Sequence, residues 1–275
     1  MGRGIEVVAG FATNPGAVLT TLTPSTNTSF TIRGTDTSKN VWLATGWAFN
    51  ATAGEFKIQS PRLHDNVQGI RNRVTAASTL PLFNSPFNPM AKQRLFAQDN
   101  LTVQISGGAA ELDCGAILVY YEDLAGIAGR FIDYATLVKS GINLVTAEVT
   151  VVAVATGNFG GGVAINSSFD TLKANTDYAI LGGMSDTRGT AVGITGVDVG
   201  NLRVGFPAEP TIRDVTNNWF VGLSANLGLP AIPVINSTNK SAISIDVETN
   251  GAGGTYIINL TLMEMAPGAV GPLGL

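Results

Sequence analysis

Hydrophobic and polar residues alternate along this chain with a period of two, and stretches of helical period are scarce. Leu101-Thr102-Val103-Gln104-Ile105-Ser106 and Ile243-Ser244-Ile245-Asp246-Val247-Glu248 switch residue by residue, as strands with one buried face do. The runs 116–121, 146–155 and 256–263 are more continuously apolar and read as buried strands. Turn signals separate the runs, among them Ser106-Gly107-Gly108, Asn158-Phe159-Gly160-Gly161-Gly162 and Asn250-Gly251. Candidate strands in the first half are 5–9, 17–22, 28–34, 41–49, 55–59, 68–76, 101–106 and 113–121. Those in the second are 144–155, 161–165, 177–184, 189–195, 197–206, 217–223, 241–247 and 255–263. Eight strands is the count of a jelly roll, two Greek keys folded into facing sheets. Short helices are expected at 134–139 and 169–174, the latter after the capping run Asn166-Ser167-Ser168.

The pattern therefore predicts an all-β chain of two tandem eight-stranded jelly-roll β-sandwiches, with short helices in the connections. The expected limits are 1–128 for the first sandwich and 129–141 for a linker with a short helix. The second sandwich is expected over 142–265 and an extended tail over 266–275.

Self-similarity supports the division. An offset of 142 residues sets Val103-Gln104-Ile105-Ser106 on Ile245-Asp246-Val247-Glu248. The same offset sets Cys114, Ala116, Leu118 and Tyr120 on Tyr256, Ile258, Leu260 and Leu262, so inward positions are expected to match inward positions. Pro86-Phe87-Asn88-Pro89 matches Pro230-Ala231-Ile232-Pro233, Asn27-Thr28-Ser29-Phe30 matches Asn166-Ser167-Ser168-Phe169, and Arg62 matches Arg203, all at nearly the same offset. The repeat is the size of a whole β-sandwich, too long for a solenoid unit.

Composition narrows the function classes. Of 275 residues 45% are apolar and only 13% charged, which excludes a disordered chain. The net charge of −4 leaves no global basic field for nucleic acid or an anionic membrane. One cysteine, Cys114, rules out an intrachain disulfide framework. One histidine, His64, rules out any site that needs two histidines of one chain. The start lacks an apolar signal segment, and the run 144–155 is short and holds Glu148, so it cannot span a bilayer. The chain is thus expected to be made in the cytoplasm without a Sec-type export signal.

Two tandem eight-stranded sandwiches within 275 residues, without an enzyme signature, resemble the double jelly-roll major capsid proteins of tailless, membrane-containing viruses and phages. The resemblance covers the whole chain and is one of architecture. It implies a virion structural protein, in which three copies form a capsomer of pseudo-hexagonal outline, each supplying two barrels. A composition rich in Gly, Ala, Thr and Asn is, more loosely, similar to bacteriophage virion proteins in general.

Candidate chemistry is sparse. His64 beside Asp65 has no nucleophile elbow to serve. Cys114, within an apolar strand, reads as a small buried side chain. Glu111 and Asp113 share a strand face, with Glu122 on the opposite parity, and read as strand-end charges instead of a glycosidase pair. The glycine run 157–162 lacks the ending of a phosphate loop. No catalytic residue, cofactor or metal is expected.

Charge is uneven, however. Lys57, Arg62, Arg71, Arg73, Lys92 and Arg94 are six of the sixteen cations and fall in a stretch whose one acid is Asp65. Phe83, Phe87 and Phe96 lie in or beside it. Arg and aromatic residues anchor interfaces, so the candidate subunit contacts are Arg62, Arg71, Arg73, Phe83, Phe87, Lys92 and Arg94. The segment 57–94 is also the place where lipid head groups or genome would be met. Pro267 and Leu273 join the list because the apolar, uncharged tail needs a neighbouring subunit or the chain's own surface to lie on.

The leading expectation is a capsid subunit whose partners are copies of itself and other virion proteins, located in the virion and taking no small-molecule substrate. The alternative is a carbohydrate-binding β-sandwich, such as a viral spike, fibre or lectin-like module, for which Trp42, Trp47 and Trp219 are the candidate platforms. A hydrolase on the same scaffold would require a carboxylate pair.

Overall fold

The computed structural model describes residues 2–25, 29–34, 41–63, 67, 69–76, 80–83, 93–124, 129–153, 157–165, 172–249 and 253–271. The first part of the chain forms β1 (Gly2–Thr13), β2 (Thr20–Thr21), β3 (Thr23–Pro24), β4 (Phe30–Thr31), β5 (Val41–Phe49) and β6 (Gly54–Gln59). It continues with β7 (Ile70–Val74), β8 (Leu80–Phe83), β9 (Gln93–Leu95), β10 (Asn100–Ser106) and β11 (Leu112–Leu124). The second part forms β12 (Phe131–Ile132), helix α1 (Tyr134–Ser140), β13 (Gly141–Ala153), β14 (Phe159–Ala164), β15 (Asp177–Ser185), β16 (Ala191–Thr195) and β17 (Val204–Pro207). Helices α2 (Arg213–Thr216) and α3 (Trp219–Leu227) follow, then β18 (Ile232–Asn236), a 3-10 turn at Ser237–Ala242, β19 (Ser244–Glu248) and β20 (Gly254–Met265).

Strand order shows the architecture. One sheet of the first sandwich runs β3-β1-β11-β5-β8 with β9 also on β5, and its facing sheet runs β2-β10-β6-β7 with β4 also on β10. The second sandwich repeats the order as β12-β18-β15-β20-β13 and β14-β19-β16-β17. Thus β1, β11 and β5 take the places of β13, β20 and β15, while β10, β6 and β7 take those of β19, β16 and β17. Among the described residues the ladders between these strands are antiparallel, for instance β1 on β11 and β13 on β20. The chain is two tandem jelly rolls.

The interior of the first sandwich follows from alternation. Val8 and Ala12 of β1, Ile117, Val119 and Tyr121 of β11, Phe56 and Ile58 of β6, and Val103 and Ile105 of β10 all fall in one core cluster. The opposite faces of the same long strands are equally apolar. Ile5, Val7 and Ala9 of β1, Ala116, Leu118 and Tyr120 of β11, and Trp47 of β5 join a second cluster that runs on through the interior of the second sandwich. These strands are buried on both faces, which is why their sequence is nearly continuous in apolar residues.

That double burial corrects one expected match. At an offset of 142, Val103 and Ile105 fall on Ile245 and Val247, and all four face their own sandwich interior. On β11 the same offset sets Ala116, Leu118 and Tyr120 on Ile258, Leu260 and Leu262, yet the residues lining the first interior are Ile117, Val119 and Tyr121. A slip of one residue exchanges the two faces of a strand, and a strand apolar on both sides gives no parity to detect it.

Two further expectations change. The segment 217–223, read as a strand, is the start of α3. Trp219, Phe220, Leu223 and Leu227 recur at helical spacing and are buried, and Gly228 closes the helix in the left-handed region at φ 63°. The strand that pairs with β15 is instead β18. The helix expected at 134–139 is present as α1, its N-terminus capped by the Asp133 carboxylate accepting from the Thr136 N–H at 2.7 Å. The helix expected at 169–174 falls largely outside the described residues, and 172–174 are not helical.

Candidate functional site

The most heavily built surface is the seam between the sandwiches. The outer face of β1, β11 and β5 is roofed by residues of β16, β17 and β19 and by α3. Backbone approaches backbone there, with the Val7 N–H donating to the Arg203 carbonyl at 2.7 Å. Gly205 makes this closeness possible, since a Cβ at that position would stand 3.0 Å from the Val7 Cγ1 and 2.6 Å from the Val192 carbonyl oxygen. Trp47 crosses the seam. Its indole Nε1 donates to the Thr190 carbonyl at 2.7 Å, and its ring meets Trp219 edge to face at 5.4 Å between centroids. Both indoles are fully buried, so neither is an exposed sugar platform, and Trp42 is partly buried and packs against the same core.

Polar groups at the seam are sparse and specific. The Ser25 hydroxyl donates to the Glu248 carboxyl and to the Gly157 carbonyl, the latter at 2.8 Å. Glu248 is fully buried and its Oε2 has no hydrogen-bond partner, and burial holds its carboxyl well above the usual range. Cys114 is buried beside it and its thiol donates to the Thr249 carbonyl at 3.5 Å. Burial, then the Glu248 charge, pushes that thiol well up, so it is a packing residue and not a nucleophile.

Glu111 and Asp113 do come together, at the end of the first sandwich. Glu111 accepts from the Gly108 N–H and from the Thr52 N–H and hydroxyl at 3.1 and 2.9 Å. Burial acts to raise its carboxyl, but these donors hold it below the usual value. Asp113 is buried with Oδ2 unpartnered, and its carboxyl is pushed up to about 7, first by burial and then by the Glu111 charge. This arrangement is a carboxyl beside a carboxylate. With Asp113 buried, it presents no open pair to a glycosidic bond.

The nine expected contact residues divide. Arg71 and Arg73 are exposed on β7, the edge strand of its sheet, with Arg71 Nε 3.2 Å from Glu55 Oε1. Together with Glu55 and Asn72 they line an open depression of about 300 Å³. Arg62, in the connection from β6 to β7, and Arg94, on β9, both lie over the Phe96 ring, at 5.7 and 5.6 Å from its centre. Phe96 thus belongs with them, although it was not among the nine. Phe83 contributes backbone to β8, which pairs with β5. Pro267 is exposed. The tail around it folds back on its own sandwich. Ala269 and Val270 pack against the core, and Arg130 Nε donates to the Gly271 carbonyl at 3.3 Å. Phe87, Lys92, Leu273 and also His64 lie outside the described residues. Among the described residues no group of three or more acidic, histidine or cysteine side chains is placed to hold a metal ion.

No protein-family model matches the chain, and no curated protein matches it. Among solved structures it is similar to the PBSX exported protein XepA at 8% identity and TM-score 0.27, covering 94% of this chain and 86% of that one. It is similar to the STIV MCP at 11% identity and TM-score 0.21, covering 97% and 88%. It is similar to the major capsid protein P2 of bacteriophage PM2 at 9% identity and TM-score 0.21, covering 96% and 97%. Strand order is what makes the two halves jelly rolls.

Proposed function

We propose that this chain is a virion structural protein, a major capsid subunit that assembles with copies of itself as a pseudo-hexagonal trimer into an icosahedral shell. The observation that carries the reading is the seam: two sandwiches of one strand order, the second closing the outer face of the first. A chain that already packs one jelly roll against another holds a third of a six-barrel ring. The sandwich limits proposed for it are 1–128 and 142–265, with the linker 129–141 lending β12 and the first residue of β13 to the second sandwich. The protein acts by burying interfaces. Its sparse charge favours this, because few ionic groups lose water when copies meet. Copies of itself are its partners, and the basic stretch 57–94 is the place for contacts with other virion components, lipid or genome.

Negative-stain imaging and mass measurement of the purified chain test the reading. Trimers of hexagonal outline that go on to form closed shells are expected. A chain that stays monomeric at its highest soluble concentration and binds glycan would replace it with the carbohydrate-binding alternative.

A further inference from the structure

The seam covers one outer face of the first sandwich; on the same face of the second, the α2–α3 segment packs over β15, with the Thr261 hydroxyl donating to Asn217 Oδ1 at 3.3 Å, and leaves β13 and the rest of β20 uncovered among the described residues. On that face β13 presents Leu144, Thr146, Glu148, Thr150 and Val152, and β20 presents Thr255, Ile257, Asn259, Thr261 and Met263, paired across the ladder. Their alternates, Val149, Val151, Tyr256, Ile258, Leu260 and Leu262, are fully buried in the sandwich interior. β13 also carries exposed apolar side chains. Among the described residues eight large apolar side chains are strongly exposed, and three of them, Ile142, Leu144 and Val152, are on β13, while α1 just before it exposes Tyr134 and Val138. A patch of this kind marks an interaction surface.

The repeated fold indicates what covers it. In the second sandwich the seam residues Gly193, Gly205 and Asp246 stand side by side across β16, β17 and β19. The matching positions of the first sandwich, across β6, β7 and β10, are Lys57, Arg71 and Gln104. Lys57 is buried there, its Nζ donating to the Val67 carbonyl at 2.6 Å, so the exposed charge is that of Arg71 and Arg73 against Glu55, around the open depression. Among the described residues of β13 and β20, the one charged side chain on this face is Glu148. An apolar face with one central acid thus fits a basic hollow that lies where the internal seam would recur.

We propose that the outer face of β13 and β20 docks onto the outer face of β6 and β7 of a second copy of this chain, head to tail, with Glu148 against Arg71 and Arg73. The inference deepens the reading of the chain as a self-assembling subunit and rests on it. Contacts of this heterologous kind close into a ring when the rotation per copy allows, and three copies would alternate internal and external seams.

The test uses the full chain and measures solution mass against concentration. Leu144→Lys and Glu148→Arg are each expected to raise the dissociation constant of the oligomer about tenfold or more, with the thermal melt of the isolated chain unchanged. Arg73→Glu is expected to do the same, and the pair Glu148→Arg with Arg73→Glu to recover part of the loss. An oligomer indifferent to all three substitutions would overturn the docking face and leave the self-assembling reading in place. A wild-type chain that never associates would end both.

Discussion

Replacing Trp47 with Ala removes the side chain that crosses between the sandwiches, and the cost can be worked from its surroundings. The indole is fully buried, and truncating a buried aromatic side chain costs about 3–5 kcal/mol. The Thr190 carbonyl loses its 2.7 Å donor, which adds about 1–3 kcal/mol where water cannot replace it. The edge-to-face contact with Trp219 accounts for about 0.5–1.5 kcal/mol more. These contributions overlap, and a total loss of about 5 kcal/mol is expected, a large part of the roughly 5–15 kcal/mol that holds a native protein together. Because Trp47 shares one core cluster with the interior of the second sandwich, the wild type should unfold in a single step. Guanidinium melts followed by tryptophan fluorescence and far-ultraviolet circular dichroism provide the assay. Trp47→Phe, which keeps a ring but not the donor, should fall between. A loss below about 1 kcal/mol, or a wild type whose two signals melt at separate midpoints, would mean that the sandwiches are independent and the seam is mere adjacency.

Two further predictions concern pH. The raised carboxyl of Asp113 binds its proton more tightly folded than unfolded, so its stabilising contribution is complete below the unfolded value near 4 and is lost as pH rises through about 7. Asp113→Asn should therefore gain about 2–3 kcal/mol over the wild type at pH 8 and little at pH 4, read from urea midpoints; a gain independent of pH would show that Asp113 stays ionised throughout. Glu248, also raised by burial, binds its proton more tightly folded than unfolded, so Glu248→Gln should flatten the fall in melting temperature as pH rises above the usual carboxylate range towards alkaline values. Equal alkaline curves for the two proteins would place that loss elsewhere.

Much of this architecture is legible in the sequence, because a sheet with one wet face alternates visibly. The strands β10 and β19, with Val103, Ile105, Ile245 and Val247 directed inward, are read correctly for that reason. The failures have one physical origin. β1 and β11 are covered on both sides, one by their own sandwich and one by the other, and both faces are apolar. Nothing in 116–121 distinguishes Leu118, at the seam, from Val119, in the interior. Helix α3 is not legible because Trp219, Phe220 and Val221 are good strand residues, and their helical conformation is fixed by tertiary packing against β15 and Trp47. The basic stretch was visible as charge, but that Arg62 and Arg94 share Phe96 depends on a long-range approach of β9 to the β6–β7 connection that no local pattern encodes.

The contrast between equivalent faces carries the assembly argument one step further. The outer face of β1 and β11 is apolar along its middle, with Val7, Leu118 and Tyr120 at most 2% exposed, because its cover is part of the same polypeptide and arrives as the chain folds. The outer face of β13 and β20 interleaves Thr146, Glu148, Thr150, Asn259 and Thr261 with Leu144, Val152 and Ile257. A face covered only by another copy must remain soluble until that copy arrives, so it holds its apolar area below what would collapse nonspecifically and adds a charge that selects the partner. On the docking proposed above, the two faces differ in composition because one is covered during folding and the other during assembly.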